Sequence, residues 1–168
     1  NVDVNGTLNL AANAITIAGH LDVAGTWTDL AGATITMDGT AAQNYDQGAA
    51  PINSDLTVAN TSAAVTVLTN ALSVDQLTVN ASAILYGAGE NITATGTFAN
   101  NGTVRVQGIE TVTLTQDTDS GTFEYVGTNG GVTHTVTDFG ATDYFNLVIN
   151  DVNVTADTFQ ATAGLTIA

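Results

Sequence analysis

Few residues in this chain have the chemistry to act on another molecule, and they stand far apart in sequence. Histidine occurs twice, at His20 and His134, with no obvious carboxylate partner for either. The five serines, Ser54, Ser62, Ser73, Ser82 and Ser120, are scattered over turns and strands. A nucleophile with a general base beside it therefore has almost no material. Lysine is absent and Arg105 is the single arginine, at a solvent-facing strand position where a lone charge only solvates. A lyase acting on uronates needs such cations to neutralise the substrate carboxylate and to take a proton beside it. A glycosidase needs two acids converging on one face. The acids here, thirteen Asp and three Glu, fall in scattered turn-like stretches. The expectation is a protein with no catalytic residues.

Binding chemistry has slightly more to work with. Asp117-Thr118-Asp119-Ser120-Gly121 has the opening of a calcium loop, in which alternate aspartates offer hard oxygen ligands. The twelfth position of such a loop requires a bidentate acid, yet Thr128 stands there, and no helix is expected to follow. The competing reading is a solvated turn whose Asp side chains bond local backbone. No cofactor is expected, and Ca²⁺ at this turn is the only candidate ion. Six Asn-x-Ser/Thr sequons begin at Asn5, Asn60, Asn80, Asn91, Asn101 and Asn153, in a chain with 16 asparagines and 30 threonines. Trp27, Phe98, Phe123, Tyr125, Phe139, Tyr144, Phe145 and Phe159 are either a stacking platform for sugars or core, and core is favoured. The cluster at 138–145, "DFGATDYF", reads as a bulged corner folded over the side of the molecule. Thr16, Thr36, Thr57, Thr66, Thr78 and Thr93 read as outward strand positions that would form ladders, with Asp22 and Arg105 as intruders in any flat array.

The elements that hold these residues are announced by a three-residue word, apolar-polar-apolar. It occurs as Leu8-Asn9-Leu10, Ile15-Thr16-Ile17, Leu21-Asp22-Val23, Ile35-Thr36-Met37, Leu56-Thr57-Val58 and Val65-Thr66-Val67. It returns as Leu72-Ser73-Val74, Leu77-Thr78-Val79, Ile92-Thr93-Ala94, Val104-Arg105-Val106, Val112-Thr113-Leu114 and Leu165-Thr166-Ile167. Alternation with β-branched residues is the pattern of a half-buried strand, its outer residues inward and its middle residue in solvent. No stretch has helical spacing. Gly, Asn, Asp and Ala fill the short gaps, as turn residues that tolerate positive φ.

The words stand closer together than the strands of a hairpin sandwich, so they predict a parallel β-helix of roughly eight coils. A β-sandwich of Ig-like repeats is the alternative. Leu8 and Leu77, Ile15 and Ile84, and Ile35 and Val104 correspond at an offset of about 69 residues, while "DLTVAN" at 55–60 echoes "NLVIND" at 146–151 about 91 on. One extra coil near 110–130 would account for the difference. The reading is a single segment over 1–168, cut from a longer repetitive chain, with degenerate repeats over about 1–80 and 77–168. Trp27 and Phe98 would then hold equivalent places.

The phrases "GTFANNGTVRVQG", "TQDTDSGTFEYVG", "DFGATDYFNLVIN" and "ADTFQATAGLTIA" cover most of 96–168, with a degenerate copy over 1–80. They resemble the β-strand repeats of very large bacterial and archaeal surface proteins, relatives of filamentous-haemagglutinin-type adhesins. The resemblance implies an extracellular, cell-surface location and a structural or adhesive role, and it carries no catalytic residues across. The partners so implied are neighbouring repeats or subunits stacked end to end, with cell-surface glycans as a further class. A formal charge of −15 argues against nucleic acid and anionic membrane surfaces, which are bound through clustered Lys and Arg. No apolar run approaches the roughly 20 residues of a membrane span. The alternatives to a structural role are a glycan- or ice-binding surface and, less favoured, a polysaccharide-degrading β-helix enzyme.

Overall fold

A strand of two to four residues cannot hold itself. It needs neighbours that take up its amide and carbonyl groups and cover its apolar face. The structure, a computed structural model describing residues 1–28, 32–48, 53–60 and 65–168, meets that need by winding. It contains no helix among the described residues, and its strands pair in parallel. The longest sheet stacks Val2–Asp3, Leu21–Asp22, Gln43–Tyr45, Val65–Leu68, Ile84–Tyr86, Thr103–Val106, Thr122–Tyr125 and Asn146–Ile149 in chain order. A second sheet stacks Ala14–Ile17, Thr34–Met37, Asp55–Val58, Leu77–Val79 and Phe98–Asn100. The third face is built in pieces. Thr7–Asn9 pairs with Thr26–Thr28, Ile92–Ala94 lies between Leu72–Val74 and Val112–Thr113, and Thr133–Val136 pairs with Thr158–Ala161.

This is a β-solenoid of about seven turns, in which the chain runs from the long sheet to the third face and then to the second, and beyond Phe98–Asn100 the second face carries no further strand among the described residues. Parallel pairing rules out the sandwich. The roughly eight coils expected from uniform turns become about seven because register partners on adjacent turns stand from 19 to 25 residues apart. At roughly 4.8 Å per step, the seven steps of the long sheet give a rod of about 34 Å.

Alternation then fills the interior. On the second sheet Ile35, Leu56 and Leu77 stand one above another, as do Met37, Val58 and Val79, each no more than 1% exposed. Burying each such side chain is worth about 1.5–3 kcal/mol. The apolar-polar-apolar words fall on the strands, and in most the middle residue faces out. Val65-Thr66-Val67 is reversed: Thr66 is fully buried between Gln43 and Leu85, and the valines face outward. Asn60, itself buried, donates from Nδ2 to the Thr66 hydroxyl at 2.7 Å, which allows a polar side chain inside. Gln43 is accommodated likewise, receiving the Gly39 amide and donating to the carbonyls of Ile17 and Gly19.

Trp27, Phe98, Phe123, Tyr125 and Tyr144 are core, with Phe139 and Phe159 packed against it. Phe123 meets Phe98, Phe139 and Tyr144 with ring centroids 5.5–6.2 Å apart, mostly edge to face. Tyr125 and Tyr144 share a hydroxyl hydrogen bond of 2.9 Å. The "DFGATDYF" stretch turns its Asp143 and Tyr144 fully into the core with Phe139 packed half-buried beside them, while Asp138, Gly140, Ala141 and Phe145 stay exposed, so the corner does not simply fold over the side. Trp27 and Phe98 are both buried, but they occupy different faces, the third and the second. The words at an offset of 69 thus repeat the strand-and-corner unit one face further round.

Candidate functional site

The Asp117–Gly121 turn spends its carboxylates on nearby donors of the chain itself. Asp117 accepts the amide of Asn100 at 2.7 Å through Oδ2 and that of Asp119 through Oδ1. Asp119 accepts the Ser120 hydroxyl, which also donates to the Asn100 carbonyl. Asp117 thus stands in for the strand that would have continued the second sheet beyond Phe98–Asn100. Among the described residues no group of three or more His, Asp or Glu is placed to hold a metal ion. The sequon asparagines divide by exposure. Asn5, Asn80, Asn91 and Asn101 are exposed, Asn60 is buried, and the Asn153 amide is engaged with Val126, Asp151 and Asp157. Ser62 lies outside the described residues. Ser54 is fully buried, Ser82 occupies a positive-φ turn, and neither has a histidine bonded to it.

Four of the six threonines form a true ladder. Thr16, Thr36, Thr57 and Thr78 are consecutive register partners on the outer face of the second sheet, and Ala99 follows them. Thr66 is inside and Thr93 is on the third face. Asp22 and Arg105 belong to the long sheet, so they do not interrupt this rank. The neighbouring rank is mixed, running Ala14, Thr34, Asp55.

On the long sheet the outward positions of successive turns are Val67, Tyr86, Arg105, Glu124 and Val148. Arg105 is not a lone solvated charge. Its Nε donates to Glu124 Oε2 at 2.7 Å, and the Glu124 side chain is only 11% exposed. Asn150 donates to the other carboxylate oxygen at 2.7 Å. Gln107 donates to the Tyr86 hydroxyl at 3.1 Å. Tyr86, Arg105, Glu124, Val126, Asn150 and Val152 line a depression of about 230 Å³.

The sequence offered no partner for His134, and the structure supplies one. His134 Nε2 lies 3.1 Å from Asp157 Oδ2, with both side chains fully buried and the ring stacked on Phe159. Asp157 also accepts the amides of Thr128 and Val132, and Asp151 accepts the amide of Asp157 itself. Gly127, at φ +71°, passes so close that a Cβ there would overlap the Asp157 carboxylate. Burial pushes the Asp157 carboxyl up, but the donors from Val132, His134 and Thr128 outweigh it and hold the group below its usual value. Asp143 is likewise pushed up by burial and pulled below its usual value by the amides of Thr166, Phe139 and Gly140. Asp151 is lowered chiefly by the amides of Asp157 and Asn153. Burial raises Tyr144 strongly, and Tyr125 beside it adds to the shift. Both Asp157 oxygens are spent on internal donors, so this cluster ties the 126–134 and 151–159 segments together, while the buried His134 Nδ1 has no hydrogen-bond partner.

His20 accepts the Asn44 amide at 2.9 Å and borders a second depression with Asp3, Asp22 and Asp46. No family model matches the chain, and neither does any curated protein or solved structure.

Proposed function

We propose that this chain is a structural and adhesive segment of an extracellular fibre or cell-surface protein and acts without catalysis. The observation that carries the reading is the unbroken stacking of the long sheet, in which every inner strand is bonded to the turn before and the turn after. A rod built this way resists local opening, because each turn is held from both sides. Its only tryptic bond follows Arg105, inside a strand paired with both neighbours. The repeat resemblance and the acidic surface support the same reading. In it, neighbouring repeats or subunits stacked end to end are the partners. Immunogold electron microscopy of intact source cells, with antibody raised against this segment, tests it: label along surface filaments is expected. Label confined to the cell interior would overturn the proposal, as would turnover of neutral or acidic polysaccharides above background by the purified chain.

A further inference from the structure

The depression on the long sheet gathers a phenol ring, a guanidinium, a carboxylate and an amide, and these groups are held before any ligand arrives. Tyr86, Arg105 and Glu124 are register partners on three successive turns, so their side chains project side by side at strand spacing. Gln107 fixes the Tyr86 hydroxyl, and Glu124 fixes both Arg105 and Asn150. A guanidinium carries five N–H donors in a plane, and Glu124 takes the one on Nε. The terminal nitrogens remain as donors at the mouth. Asn150 gives its Nδ2 to Glu124 and its backbone N–H to the Tyr125 carbonyl, which leaves its Oδ1 as an acceptor. Val126 lies in the floor, 5% exposed, while Val152 stands at the rim, 69% exposed.

A mouth that offers donors and an acceptor together suits a group that both accepts and donates, and a hydroxyl does so. A carboxylate or phosphate would use only the donors and would face the Asn150 oxygen and a chain of charge −15. The Arg105–Glu124 pair is itself neutral. The Tyr86 ring and Val152 supply the apolar sides against which the C–H face of a sugar packs. About 230 Å³ is below the roughly 300–1,000 Å³ of typical ligand pockets, so the depression takes a single ring. We propose that this depression binds one ring of a neutral saccharide, with Arg105 and Asn150 reading adjacent hydroxyls and Tyr86 stacking on the ring. The inference goes beyond the structural reading and does not depend on it, since a spacer without such a site would still be a spacer.

Amide shifts in ¹⁵N-labelled protein, titrated with neutral gluco-, manno- and galacto-oligosaccharides and separately with uronate oligosaccharides, test it. At least one neutral series is expected to give saturable shifts centred on Tyr86, Arg105, Glu124 and Asn150. Tyr86→Leu should weaken that binding about tenfold, the equivalent of one good stacking contact. Val152→Asp, at an exposed rim position that leaves the fold intact, should weaken it as well. Thr36→Ser, on another sheet, should not. Four outcomes would overturn the proposal: no saturable shift with any neutral series at millimolar concentration, shifts centred elsewhere, uronates binding as tightly or tighter, or Val152→Asp binding as the parent does.

Discussion

The middle turns and the turns beyond Thr122 solve the same stacking problem in different ways. Between Thr34 and Val79 the second sheet repeats one recipe on each turn, two aliphatics in and one threonine out. Beyond Thr122 the recipe gives way to packed aromatic rings, a buried histidine–aspartate pair and carboxylates that gather backbone amides. This end also exposes more large apolar side chains, among them Val148, Ile149, Val152 and Val154. The contrast teaches that identical turns are held by dispersion and burial spread over many equal contacts. Irregular turns need particular hydrogen bonds to fix their course.

Breaking the aromatic centre should cost most. Phe123→Ala removes a ring that touches three others and should destabilise by about 3–5 kcal/mol, read from urea unfolding. Leu77→Ala, in the middle of the aliphatic ladder, should cost about 2–5 kcal/mol, and its neighbours Leu56 and Phe98 should lose protection from hydrogen exchange with it. Equal losses of protection over residues 122–168 in that variant would erase the distinction between the regions. Gly127→Ala should cost about 1–3 kcal/mol from its positive φ alone, and more as the Asp157 carboxylate is displaced.

Acid should separate the two regions without mutation. Asp143, Asp151 and Asp157 lie below their usual values in the fold, so their contribution is complete above the unfolded value of about 3.9 and is lost as the pH falls from there through the lowered values of the fold. Amide exchange at 126–134 and 151–159 should therefore quicken below about pH 4 while the strands Thr34–Met37, Asp55–Val58 and Leu77–Val79 still resist. Asp157→Asn should lower the midpoint of thermal unfolding at pH 7 and narrow the difference between pH 7 and pH 3. The smallest effect is expected at the Thr ladder, where Thr36→Ser should change stability by no more than about 0.5 kcal/mol.

Much of the winding was legible because alternation is a local signal. The words from Leu8 to Val112 locate strands, and their close spacing indicates parallel coils. Gln43–Tyr45 escaped because its inward residues are Gln and Tyr, buried through hydrogen bonds and a cavity-filling ring that the pattern does not mark. Thr66 misled for the same reason. The Arg105–Glu124 pair was hidden differently. Its members stand 19 residues apart, one turn of the long sheet, and that distance has meaning only once the turn length is known. A search for opposite charges separated by one turn would have found it. His134 and Asp157 meet through two irregular segments whose paths no periodicity describes.

The long sheet keeps its strands paired although the number of residues per turn is uneven. The difference is therefore taken up in the segments between the strands, while the strands of the long sheet keep their register. A lineage, or an engineer, has in such a scaffold a set of independent docking points for new loops. Each can be lengthened without renegotiating the stack, so diversity should gather along the edges of the rod while its flat sides change slowly.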